Sequence, residues 1–414
     1  MKKIIFIFII IQISNQVAEA QWIQQFQVTP TNHLFDVSFI NDKTGWTCGN
    51  QGTIMKTTNS GKEWIRQTSG VYKNLYNIFA VNSQVVYCVG FFECILKTTN
   101  GGDNWIILRN SDKQSPSFEG LFFLNADTGW LTKNQYILRT TNGGNTFDSA
   151  FVDPSYIFDI YFKNYNEGLF CGEGAYMFKT SNAGINWNRI NIVPNGQGLP
   201  DFFNLTFVNE NTGYTQGSQN NSVYRTTNFG TTWDSITVVQ GIDDSYCIKF
   251  SSLNTGWCAG TFGKMFKTIN GGYNWSEVNL SMYNEAYINS LWFYNDYTGW
   301  AIGAATKILY TDNGGKTNVA SENNLESSNF KLNQNYPNPF NSQTLIKYEI
   351  EYNSSVTLEI YDIRGKKLET LVNQSLNPGE YSVIWKSDYY SSGIYFYTLS
   401  NGNFSKTKQM ILLK

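Results

Sequence analysis

The chain has 414 residues, 41% hydrophobic and 16% aromatic, enough to bury the cores of two domains. A formal net charge of −2 and a pI near 5.6 give no field that would gather nucleic acid or an anionic membrane surface. With one histidine, His33, and no CxxC or Cys/His spacing, a histidine-rich or zinc site is excluded, and no metal or cofactor is expected.

Residues 1–20 read as a secretory signal: Lys2 and Lys3, an apolar run from Ile4 to Ile11, then Ala18-Glu19-Ala20 as a small-residue cleavage site. The mature chain then begins at Gln21. The apolar run is too short to span a bilayer, and no later stretch reaches the roughly 18 to 20 apolar residues of a membrane helix.

From residue 21 to about 319 the phrase Thr-x-Asn-x-Gly-x-x-Trp recurs. Its Asn falls at 59, 100, 142, 182, 228, 270 and 313, at intervals of 41, 42, 40, 46, 42 and 43 residues. A period of about 42 is one four-stranded propeller blade per repeat. In the first copy, alternation from Leu34 to Ile40 gives strand A. Trp46–Gly49 is strand B, Thr53–Thr57 strand C and Trp64–Gln67 strand D. In the turn between C and D, Asn59 is expected to bond its own backbone two residues on, Thr57 to do so more weakly, and Gly61 to take the left-handed conformation. Phe147 replaces the Trp in the third copy. The seventh carries Asn318 there and runs into a polar linker, so its outer strand must come from elsewhere. Trp22-Ile23-Gln24-Gln25 matches Trp64-Ile65-Arg66-Gln67 at three of four positions. The N-terminal strand, led by Trp22, is therefore expected to close the ring and remove its open edges.

After the linker (320–328) the composition changes. Residues 329–414 carry strand-like runs at 344–350, 356–362, 367–372, 381–385, 393–399 and 407–413, with a hairpin turn at Asp362-Ile363-Arg364-Gly365. They read as an antiparallel, immunoglobulin-like β-sandwich. The predicted fold class is thus all-β: a seven-bladed β-propeller followed by a β-sandwich.

The repeat resembles the Asp-box, or BNR, hairpin, with Asn in place of the usual Asp. The fuller pattern, TGWxxG followed by GxIxKTTNGGxxW, looks like the seven-bladed propeller of the photosystem II assembly-factor family and its bacterial relatives. The tail resembles the C-terminal sorting domain (type A) of the type IX secretion system. That likeness rests on Asn335-Tyr336-Pro337-Asn338-Pro339-Phe340-Asn341, on Ile360-Tyr361-Asp362-Ile363-x-Gly365, on Gly393-Ile394-Tyr395-Phe396-Tyr397 and on the terminal run from Lys408 to Lys414. It implies passage through the periplasm and the outer membrane with the type IX machinery as partner, then release or attachment at the cell surface, with or without removal of the tail. The blander reading of the tail is an accessory module that presents the propeller.

Few residues are left for chemistry. A sialidase needs converging arginines, yet Arg66, Arg109, Arg139, Arg189 and Arg225 occupy repeat positions on different blades. Paired carboxylates are the better enzyme reading. Asp36 and Asp159 hold the same place in strand A, where the other copies carry Asn77, Gly120, Asn204, Cys247 and Ser290. There they serve either as a catalytic pair or as backbone- and water-bonded groups at the channel mouth. Cys48, Cys88, Cys171 and Cys258 read as small core residues. Cys247 with Cys258, on adjacent strands, is the one disulfide pair to test.

In a four-stranded blade the A–B and C–D turns share one face, and the B–C and D–A connections share the other. The second face is the variable one here, and variable loops on a rigid scaffold are where recognition is usually placed. Its candidate binding residues are Tyr72, Phe91, Phe92, Glu93, Tyr156, Glu173, Asp201, Phe202, Asp243, Asp244, Tyr283 and Glu285. The expectation is a secreted or cell-surface, non-enzymatic propeller that binds a protein or glycan. The alternative is a secreted propeller-type glycoside hydrolase using Asp36 and Asp159.

Overall fold

The computed structural model describes residues 22–27, 33–112, 114–152, 156–192, 200–218, 221–242, 245–278, 280, 287–304, 307–315, 330–350, 354–362, 366–400 and 405–414. The expected signal segment, the linker, and the candidates Asp243, Asp244, Tyr283 and Glu285 lie outside them. The chain divides into two compact units, 1–318 and 319–414.

The first unit consists of seven four-stranded antiparallel sheets. Their inner strands are Leu34–Phe39, Leu75–Ala80, Leu121–Phe123, Ile157–Phe162, Phe202–Phe207, Ser245–Phe250 and Ile288–Phe293. Each inner strand contacts the next, and the seventh contacts the first. The seventh sheet takes its outer strand from the N-terminus: Ile23–Gln27 pairs antiparallel with Lys307–Thr311. The amino-terminal strand of the unit and its last three strands thus share one blade.

The recurring glycines exist because a Cβ has nowhere to go. At the first position of strand B, a Cβ on Gly256 would lie 2.6 Å from the Phe250 ring and one on Gly299 2.2 Å from Phe293. That ring lies across its own sheet and stacks on an aromatic residue of the preceding blade. The stacked pairs are Trp300–Phe39, Tyr87–Phe123, Trp130–Phe162, Tyr214–Phe250 and Trp257–Phe293, with centroids 3.5 to 3.9 Å apart. Blade 2 carries Val86 in place of the glycine and Ala80 in place of the phenylalanine, and the two are register partners. The exchange conserves volume at one site within a single chain. At the end of strand B a second glycine is needed, because a Cβ on Gly49, Gly90 or Gly172 would fall 2.1 to 2.2 Å from the backbone carbonyl preceding the inner strand.

The strand-D tryptophan completes the interface by meeting the same phenylalanine edge-on. Trp64–Phe39, Trp187–Phe162 and Trp275–Phe250 have centroids 5.8 to 5.9 Å apart at 81 to 88°. Trp22 makes the same contact with Phe293 at 5.9 Å and 87°, and is 2% exposed. The hairpin that delivers each tryptophan is built differently from the sequence expectation. The Asn59 carboxamide oxygen accepts from the amide four residues on, Glu63, at 3.0 Å, rather than two. It is the Thr57 hydroxyl that accepts from Asn59 and Gly61, at 3.3 and 2.9 Å, while donating to the Asn59 carboxamide. Gly61 sits at φ 80°. The pattern repeats at Thr98, Thr140, Thr180, Thr226 and Thr268.

All six cysteines are free and buried, so the Cys247–Cys258 pairing is not made. Cys258 is opposite Ile248 in register, and Cys247 opposite Ala259. One residue of offset turns the two thiols to opposite faces of the sheet, and they enter different inter-blade cores.

The second unit has a three-stranded sheet (Phe330–Leu332, Gln343–Ile350, Gly379–Lys386) and a four-stranded sheet (Lys367–Leu376, Ser354–Tyr361, Gly393–Ser400, Ser405–Leu412). A core that includes Ile346, Tyr348, Leu358, Trp385, Tyr397 and Met410 lies between them. No helix among the described residues is long and apolar enough to cross a membrane.

Replacing Trp22 by Ala is expected to cost about 3 to 5 kcal/mol, the range for a buried tryptophan, because it opens the seventh blade. A chemical denaturation midpoint unchanged from wild type would contradict that role.

Candidate functional site

The inner strands surround a central channel of about 530 Å³ lined from every blade. Six of the seven inner strands carry a bulge after their first residue. A bulge sets two consecutive residues against one on the partner strand, so two neighbours face the channel instead of one. The outer tier, at the variable face, is Phe35, Tyr76, Glu119, Phe158, Phe203, Tyr246 and Asn289. The next is Asp36, Asn77, Asp159, Asn204, Cys247 and Ser290, Gly120 holding the corresponding place in the third blade without lining the channel. A deeper tier includes Ser38, Phe79, Phe122, Tyr161, Lys249 and Trp292.

The second tier ties blade to blade. Asp36 accepts from the Ile78 amide of the next blade at 3.0 Å and from the Ser290 hydroxyl of the previous one at 2.8 Å. Asp159 accepts from the Leu205 amide at 2.8 Å, the Asn204 carboxamide at 3.3 Å and the Ile160 amide at 2.8 Å. Asn204 in turn accepts from the Ile248 amide at 3.4 Å, and Asn77 donates to the Glu119 carbonyl. Burial pushes both aspartates up to about 6, against the amide bonds and the charge of Lys249, which pull them down. Burial in the same channel lowers Lys249, while both aspartates raise it. The two carboxylates therefore face one channel, and each oxygen accepts at least one protein hydrogen bond.

The candidates on the variable face divide. Tyr72, Tyr156 and Glu173 are exposed, and Tyr72 borders a groove that also takes in Arg66 and Ser69. Phe91 and Phe92 pack ring on ring at 3.7 Å, with Lys73 over Phe92. Asp201 is half-buried and accepts from the Gly174 amide at 2.8 Å. Two expectations are corrected. Glu93 is buried between Arg109 and Lys133, paired with both, because two cations from adjacent blades offset the desolvation of its charge. Phe202 is fully buried against Tyr224, since the first inner-strand residue precedes the bulge and points into the core. The outer aromatic tier escaped the sequence reading. Its signal was present, as the residue just before the Asp36-type position is aromatic in five of seven copies.

In the second unit the 335–341 motif is half structural. Asn335 is buried and donates from its side chain to the Pro337 carbonyl at 3.0 Å and the Thr344 hydroxyl at 2.9 Å, while its amide donates to the Tyr397 hydroxyl. Phe340 is buried, and its backbone exchanges hydrogen bonds with Ile411 and Leu413 of the C-terminal strand. Asn338 accepts from the Ile411 amide, Asn341 turns its carbonyl to Gln343, and Gly393 opens the strand opposite Leu412. Tyr336, Pro337, Asn338 and Pro339 face solvent, with Tyr336 80% exposed.

A family model described as photosynthesis system II assembly factor YCF48 matches residues 14–117, 113–243 and 239–332. The chain belongs to this family. A secretion system C-terminal sorting domain model matches residues 334–413, which marks this YCF48-type propeller for type IX export. A search of curated proteins finds no match. Among solved structures, "YCF48 bound to D1 peptide" is 17% identical with a TM-score of 0.58, over 70% of this chain and 94% of that one. YCF48 from Cyanidioschyzon merolae is 17% identical with a TM-score of 0.59, over 70% and 99%. An ancestral GH74 enzyme is 12% identical with a TM-score of 0.55, over 93% of this chain and 63% of that one. At these identities the likeness shows the fold alone.

The raised aspartates give a test with a definite sign. A carboxyl group whose value rises from 3.8 to about 6 on folding weighs against the fold once both states ionise, above pH 6, and not below pH 4. The channel admits water to both groups, so roughly 3 kcal/mol each is an upper limit. Asp36→Asn with Asp159→Asn, which copies the residue found at Asn77 and Asn204, is expected to raise stability relative to wild type more at pH 7.5 than at pH 4. Melting curves with the same offset at both pH values would show that burial does not strain these carboxylates.

Proposed function

We propose that this exported propeller is a non-enzymatic binding protein that engages a protein or glycan partner through the face of its B–C and D–A connections. The observation that carries this reading is the division of labour in the inner strands. The carboxylates that would do chemistry are spent on backbone amides of neighbouring blades, while aromatic side chains stand open at the channel mouth and at Tyr72 and Tyr156. A rigid ring with a wet, aromatic-rich concavity suits recognition. The solved relative bound to a peptide supports a polypeptide partner over a small metabolite. The sorting tail supports delivery of the propeller through the periplasm to the medium or the cell surface.

Glycoside hydrolysis is the second reading. It is favoured by two carboxyl groups of one channel lying near 6, in the range where a general acid works.

Arrays of glycans and of proteins probed with the purified chain are expected to give saturable binding without product. Turnover of a glycan that disappears in Asp36→Asn or Asp159→Asn would establish the hydrolase instead. For the tail, residues 319–414 fused to a periplasmic reporter in a type IX host are expected to carry the reporter outside; retention in the periplasm would leave the tail an accessory module.

A further inference from the structure

The outer tier of the channel places one carboxylate in a ring of aromatics. Glu119 stands between Tyr76 and Phe158 in blade order, with Phe35, Phe203, Tyr246 and the polar Asn289 completing the tier. Neighbouring rings meet at 5.2 Å and 66° (Phe35–Tyr76), 4.7 Å and 58° (Phe158–Phe203), and 6.1 Å and 53° (Phe203–Tyr246). They are tilted against one another rather than stacked, and every one of them is only half-buried. Unlike Asp36 and Asp159, the Glu119 side chain has no hydrogen-bond or ion-pair partner among the described residues, and burial alone raises it. Below it the channel holds Asp36 and Asp159 against one cation, Lys249. The charge of the described lining is therefore net negative near neutral pH.

Aromatic faces attract organic cations through their quadrupoles, and the attraction grows when the cation is desolvated. A carboxylate within such a ring adds direct pairing. A channel of about 530 Å³ is too small for a folded domain and large enough for one long side chain. We infer that the channel mouth is a cation-accepting site that takes a lysine or arginine side chain projecting from a partner polypeptide, with Glu119 as its counter-ion and Tyr76 and Phe158 as flanking rings. This rests on the proposed binding function and specifies the partner's chemistry. Lys249 sets the polarity of the site: it sits in the deeper tier, so the ammonium or guanidinium group is held at the mouth.

The test uses the full chain titrated with four capped pentapeptides, Gly-Gly-X-Gly-Gly, with X lysine, arginine, norleucine or glutamate, and with n-butylammonium. Chemical-shift or calorimetric titration is expected to show lysine and arginine peptides binding at least tenfold tighter than norleucine, and tighter than n-butylammonium. Glu119→Gln should bring the lysine peptide down to the norleucine level, and Tyr76→Ala should weaken it severalfold, with unchanged melting curves confirming that both variants fold. Equal binding of norleucine and lysine overturns the inference, as does preferred binding of the glutamate peptide, which would mark an anion site at Lys249. Absence of binding by both basic peptides also overturns it, and n-butylammonium matching the lysine peptide overturns the polypeptide assignment. If the arrays yield a partner whose binding is untouched by Glu119→Gln, this inference fails while the binding function stands. If the basic peptides bind and the arrays are silent, the reverse holds.

Discussion

The propeller depends on a ring of phenylalanines that can lie flat only where the facing strand has no Cβ. These rings stack on the preceding blade, and Phe39, Phe162, Phe250 and Phe293 are also met edge-on by a tryptophan of their own blade. Aromatic pairs of these geometries add to the area they bury. One glycine thus fixes the sheet-to-sheet distance, and the hairpin of Thr, Asn and Gly fixes where the tryptophan arrives. The compensation in blade 2, Val86 over Ala80, shows that space, more than aromaticity, is the requirement. In two blades the lysine before the hairpin reinforces the same contact, with Lys97 over Tyr87 and Lys267 over Trp257 while their ammonium groups donate to glycine carbonyls of the next hairpin.

Closing that ring creates the channel, and the inner-strand bulge decides what lines it. Without a bulge, alternation would send every second residue inward. With it, an aromatic and a polar residue face inward together. The polar one bonds the neighbouring blade and stiffens the ring; the aromatic one is left to the solvent at the variable face. Structural and recognition roles are thereby separated at adjacent positions of the same strand.

The tail shows a similar separation on a smaller scale. Asn335 and Phe340 lock the motif to Thr344, Tyr397 and the C-terminal strand, while the residues between them stay outside. A motif whose ends are buried presents its middle in a fixed shape, and that shape exists only when the final strand is in place.

Much of this was legible in the residues. Seven spaced hairpins specified seven blades, the Trp22 tetrad specified which strand completes the last one, and the tail's motifs specified a sorting sandwich, because turn chemistry and alternation are local properties of sequence. Glu93 and Phe202 were misread because burial depends on partners distant along the chain, Lys133 of the next blade in one case and Tyr224, two strands away in the same blade, in the other. The thiols of Cys247 and Cys258 were close in strand order yet turned apart by a one-residue register offset. The sequence by itself determined the number of blades and the means of closure; only the tertiary structure decided which side chains share the channel, because that grouping joins residues about 42 positions apart through ring closure and a bulge that no single repeat reveals.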